Sequence, residues 1–154
     1  MRIRSILSLA VSAVAAVALA TPAQAAADGT YFIRDQSSGK CLAGGAGPLG
    51  GHIEPCSPHT TWDIRNQGDD LVRIVDPRSE YRCLALSPLR IYPPVVWVDR
   101  CGNSPDQWSI LGAVDGEPVA IALGHGALGY LATQRDNVVV LPGDAPRWVL
   151  ERLS

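Results

Sequence analysis

Helical periodicity is missing from this sequence. Its 15 glycines and 12 prolines interrupt every window long enough to hold a helix. A bundle or an alternating α/β domain is therefore excluded. An excess of positive charge is missing too: 13 basic residues stand against 15 acidic ones, a formal charge of -2. Such a surface does not attract nucleic acid or anionic membranes. No C-x-x-C pair is present, and His52, His59 and His125 are not at paired-ligand spacing. A zinc site is not expected, nor any cofactor. There is no G-x-S-x-G elbow, no phosphate loop and no histidine beside a convincing nucleophile. The one carboxylate pair, Asp69-Asp70, follows Gly68 and reads as a solvated turn. The chain is expected to bind rather than catalyse.

What is present begins with a targeting pattern. Arg2 and Arg4 precede an uncharged Ala/Leu/Val-rich run from Ile6 to Leu19, and Ala23-Gln24-Ala25 forms a small-x-small site. Residues 1–25 read as a secretory signal peptide cut after Ala25, because the run is too short for a membrane span. Residues 26–154 then form a single domain. Without the leader, 11 basic residues face 15 acidic ones, a formal charge of -4. No second apolar run is long enough to span a bilayer. A secreted, extracellular monomer is expected.

One stretch organises this domain: Cys83 to Ile110, with two cysteines, a proline-rich middle, a short alternating strand and an Asp-Gln-Trp ending. A weaker copy runs from Cys41 to Ile64, and a third without cysteines from Tyr130 to Leu150. Their closing tryptophans, Trp62, Trp108 and Trp148, recur about forty residues apart. Three pseudo-repeats follow, at about 28–66, 67–112 and 113–154. Within each, β-branched and aromatic runs alternate with Gly/Pro/Asn/Asp turns, which predicts about four short strands per repeat. Turns are expected at Asn66–Asp70, Asp115-Gly116 and Asp136-Asn137, and a loop at Gly44–Gly51. Three units too small to bury a core alone must close on one another. Four cysteines in an exported chain read as two disulfides. Of the three possible pairings, Cys41–Cys56 and Cys83–Cys101 each close within one repeat.

A threefold all-β unit with C-L-x-x, a strand ending at a second Cys, and a Q-x-W-like close resembles the ricin-type β-trefoil lectins over residues 26–154. The resemblance implies a β-trefoil whose shared core is Ile33, Leu42, Ile64, Ile74, Leu84, Ile110, Ile121, Leu131 and Leu150. It implies an extracellular glycan as ligand. The sugar-binding pattern itself is degenerate. The aspartate that the family places two residues after the first Cys is replaced by Ala43, Ala85 and Ala132. The aromatic two before the second Cys is replaced by Glu54 and Asp99, and the Gln of Q-x-W by Thr60, Asp106 and Pro146. An alanine offers no acceptor to a hydroxyl. What survives is Trp97, Asp99, Asn103 and Asp106 in the second repeat, an aromatic face with carboxylates and an amide.

β-Trefoils also serve as secreted serine protease inhibitors, and the Gly29–Arg34 opening and Pro146–Leu150 ending look compatible with that use. An inhibitor needs a stiff exposed loop, since stiffness lowers the ordering cost of binding. Ser87-Pro88-Leu89-Arg90-Ile91-Tyr92-Pro93-Pro94 has three prolines and an arginine inside the Cys83–Cys101 loop. Pro88, Leu89, Arg90 and Ile91 are the alternative contact residues. Arg90 would enter a specificity pocket that carries a carboxylate.

Overall fold

The computed structural model describes residues 26–45, 50–112 and 116–154. The signal-peptide segment lies outside them, as do Asp115 and the middle of the Gly44–Gly51 loop. Twelve strands follow in order: β1 Gly29–Asp35, β2 Cys41–Gly44, β3 Gly51–Glu54, β4 Thr61–Gly68, β5 Leu71–Val75, β6 Arg82–Leu86, β7 Val96–Arg100, β8 Gln107–Leu111, β9 Pro118–Leu123, β10 Tyr130–Gln134, β11 Asn137–Leu141 and β12 Trp148–Arg152. Among the described residues the only helical element is one 3-10 turn at Pro58–Thr60, capped by Ser57.

Antiparallel pairing of β1–β4, β4–β5, β5–β8, β8–β9, β9–β12 and β12–β1 closes a six-stranded barrel. Closure leaves no free barrel edge. The hairpins β2–β3, β6–β7 and β10–β11 form a cap. They are joined by the Asn137↔His52 pairing and a Val95↔Val139 bridge. The fold is a β-trefoil with three pseudo-repeats of four strands.

Alternation fills the barrel. Tyr31 and Ile33 of β1, Val72 and Ile74 of β5, and Trp108 and Ile110 of β8 point inward. All nine core positions expected from the resemblance are buried. Each closing tryptophan is buried, and its indole N–H donates to the carbonyl of the equivalent leucine: Trp62 to Leu42 (2.9 Å), Trp108 to Leu84 (2.9 Å) and Trp148 to Leu131 (2.8 Å). The bond satisfies the one polar atom of a large apolar side chain, so the ring enters the core at little cost. The disulfides are Cys41–Cys56 and Cys83–Cys101.

Two turns lie elsewhere than their composition suggests. The strand β4 continues through Asn66 and Gln67, past the expected repeat boundary, and only Asp69 and Asp70 turn, with φ of 52° and 59°. The cause is distant in sequence. Asp28 Oδ1 accepts from the Asn66 backbone and side chain, both at 2.7 Å, and Ala26 O accepts from the Asn66 amide at 2.9 Å. In the third repeat the turning pair is Arg135-Asp136, and Asn137 already belongs to β11. Two consecutive positive-φ residues make the two-residue hairpin turn that matches strand twist. Gly51 is likewise strand rather than loop. A Cβ there would lie 2.7 Å from Val96 O, so only glycine lets β3 and the second hairpin meet.

Candidate functional site

The residues singled out in the second repeat do not all converge. In β7, Val96 and Val98 are buried while Trp97 and Asp99 share the opposite, partly exposed face. Asp99 accepts from the Asn103 amide (3.1 Å), the Ser104 hydroxyl (2.9 Å) and the Arg100 backbone N–H (2.7 Å). Partial burial pushes its pKa up, but these hydrogen bonds, Ser104 foremost, outweigh it and hold the carboxyl below the usual aspartate range. Trp97, Asp99 and Asn103 therefore form one surface patch with a fixed negative charge. Asp106 does not join it. Its side chain is buried, accepts the Gly102 N–H at 2.7 Å and lies 3.1 Å from Arg73 Nε. The turn from Cys101 folds over this carboxylate, which is a brace between β8 and β5 rather than a surface acceptor.

The Trp97 indole N–H is buried and has no hydrogen-bond partner among the described residues. In this it differs from the three framework tryptophans, whose N–H groups are all satisfied.

The proline-rich loop projects from the cap. Its base is tied by Ser87 N–H to Val95 O (2.9 Å) and by Val140 N–H to Pro94 O (2.8 Å). Ser87 Oγ accepts the Leu89 N–H at 3.3 Å. Between these ties Pro88, Leu89, Arg90 and Ile91 are exposed. The most exposed large apolar side chain of the loop is Tyr92, at 80 %. It stands outside the Pro88–Ile91 group and carries no motif that would single it out in the sequence.

Solved structures with the same architecture follow from this geometry. A designed threefold-symmetric protein, ThreeFoil, superposes with a TM-score of 0.66 at 20 % identity, over 82 % of this chain and all of the other. SeviL bound to an asialo-GM1 saccharide superposes with a TM-score of 0.63 at 14 % identity, over 83 % of this chain and all of the other. The Rhizoctonia solani agglutinin gives 0.62 at 16 % identity, over 89 % of this chain and all of the other. No protein-family model matches the sequence, and no curated protein matches it.

The chain shares the β-trefoil fold of these structures. Within it, the positions where ricin-type lectins carry a sugar-binding aspartate are closed as well as changed. Ala43, Ala85 and Ala132 are all buried, and each lies across the hairpin from His52, Trp97 and Val139 respectively. No acceptor is lost to solvent there, because solvent does not reach the position.

Two clefts between consecutive repeats are also related by the pseudo-threefold. One, of about 340 Å³, is lined by Gly44, Asp76, Arg78 and Arg82. The other, of about 540 Å³, is lined by Asp35, Ser37, Thr133 and Arg147. Their aspartates are both nearly buried and already engaged. Asp76 is gripped by the Arg78 guanidinium at 2.9 and 3.0 Å. Asp35 Oδ2 accepts from the hydroxyls of Ser37 and Ser38, both at 2.7 Å. These carboxylates organise the turns that end β5 and β1.

Proposed function

We propose that this is a secreted, monomeric, non-catalytic binding protein, related to the ricin-type lectins, whose ligand is an extracellular glycan. The observation that carries the reading is the Trp97–Asp99–Asn103 patch. An aromatic face, a carboxylate kept ionised by its neighbours and an amide lie together on one strand and the turn after it. Sugars are recognised by that combination: apolar C–H faces stack on an aromatic ring while hydroxyls donate to a fixed carboxylate. The two disulfides support an oxidising compartment and so the secretory reading of residues 1–25. A similar fold binds asialo-GM1 saccharide in SeviL, which supports the ligand class at the level of architecture. The test is a glycan array on the chain from Ala26, followed by Trp97→Ala and Asp99→Asn. At least one glycan should bind, and both variants should weaken it by roughly tenfold or more. An array with no binder refutes the reading.

A second reading rests on the tethered loop. Its base is fixed by backbone hydrogen bonds and its crest presents Leu89, Arg90 and Ile91 to solvent. That is the physical requirement for inhibiting a secreted serine protease. Incubation with trypsin and subtilisin decides it. Inhibition lost in Arg90→Ala supports the loop, and rapid cleavage with undiminished protease activity rejects it.

A further inference from the structure

The three cap hairpins meet around a depression of about 220 Å³ lined by Gly51 of β3, Ile91, Tyr92, Pro93 and Val95 of the second repeat, and Gln134, Asn137 and Val139 of the third. Three of its properties point one way. No charged side chain lines it. Tyr92 offers an exposed aromatic ring beside it. Gln134 and Asn137, which face each other across the β10–β11 turn, have side-chain amides with no hydrogen bond among the described residues. The floor is rigid: Gly51 packs on Val96, Val95 bridges Val139, and Val140 N–H donates to Pro94 O.

We propose that this depression is a binding site for one uncharged hexopyranose ring, built across repeats and separate from the Trp97 patch. An ionic ligand would find no counter-charge in it. A purely apolar ligand would strand two amides that otherwise bond to water. A pyranose satisfies both conditions, with its C–H face on Tyr92 and Pro93 and its hydroxyls on Gln134 and Asn137, each amide offering both a donor and an acceptor. The volume lies below the roughly 300–1,000 Å³ usual for drug-sized ligands, which limits the occupant to about a single ring. The site deepens the glycan reading and depends on it. It also places the ligand where the ricin-type pattern has no counterpart, at a junction no single repeat can form.

The experiment is a ¹⁵N–¹H titration of the chain from Ala26 with the methyl glycosides of glucose, galactose, mannose and N-acetylglucosamine. With at least one of them, the side-chain NH₂ signals of Gln134 and Asn137 and the backbone amides of Ile91 and Tyr92 should shift. Tyr92→Ala should weaken that binding roughly tenfold, and Leu128→Ala, at an exposed position outside both patches, should leave it within about twofold. Since Tyr92 is largely exposed, its variant should melt with the parent. Shifts confined to Trp97, Asp99 and Asn103 overturn the cap site and leave the glycan reading standing. Shifts nowhere also overturn it, and the glycan array then decides the wider reading alone.

Discussion

Replacing each framework tryptophan by phenylalanine is the most direct test of three equivalent units. The change removes the indole N–H and strands the carbonyl of Leu42, Leu84 or Leu131 in the core. An unsatisfied buried acceptor costs about 1–2 kcal/mol. The smaller ring leaves a void of roughly 40 Å³, worth about 1 kcal/mol at some 24 cal/mol per Å³. Each of Trp62→Phe, Trp108→Phe and Trp148→Phe should therefore lose about 2–3 kcal/mol, or roughly 10 °C in Tm for a domain of this size. Trp97→Phe is the internal control. Its N–H has no partner to lose and its side chain is only partly buried, so its cost should stay below about 1 kcal/mol. Urea unfolding followed by far-ultraviolet circular dichroism measures all four without relying on the fluorophore being removed. A framework variant that costs no more than Trp97→Phe would refute the equivalence of the repeats, and with it the account of the core.

Gly44→Ala should destabilise by about 1–3 kcal/mol, because its Cβ would fall on Val98 Cγ2 and 2.9 Å from Trp62 Cη2; thermal melts would show it, and Val98→Ala should restore part of the loss. Burial alone would raise the Asp76 pKa, but the Arg78 side chain and backbone N–H outweigh it and hold it below the ordinary value. A folded pKa below the unfolded one means that the unfolded chain takes up the proton first. The contribution is therefore complete above about pH 4 and lost as the pH falls further. Asp76→Asn should flatten the stability profile below pH 4 and leave its slope between pH 6 and 8 unchanged, as read by denaturation at a series of pH values. The two disulfides close loops of sequence separation 15 and 18, so Cys41→Ser/Cys56→Ser and Cys83→Ser/Cys101→Ser should each cost about 3 kcal/mol and differ by only a few tenths. A large difference would show that one loop retains structure when unfolded.

Much of this protein was already legible in its residues one after another. The recurrence of Ile33, Ile74 and Ile121 on the first strand of each repeat, the thrice-repeated leucine and tryptophan, and cysteine pairs that close short loops are local signals. The first two are written three times and the cysteine pair twice, and the second repeat is clear enough to align the weaker ones. Local spacing sufficed because four-strand units that share a core must place equivalent side chains at equivalent depths. Distant contacts decided the rest. Asp28 clamps Asn66 and turns an expected loop into strand. Arg73 draws Asp106 inward and takes it out of the proposed sugar patch. Ala43, Ala85 and Ala132 are sealed by residues on the facing strand. Tyr92, Gln134 and Asn137 become neighbours only when three hairpins meet at the cap. Spacing along a chain specifies what one segment can become. It says nothing of which side chains from separate repeats come within hydrogen-bonding distance, because that depends on how the barrel closes.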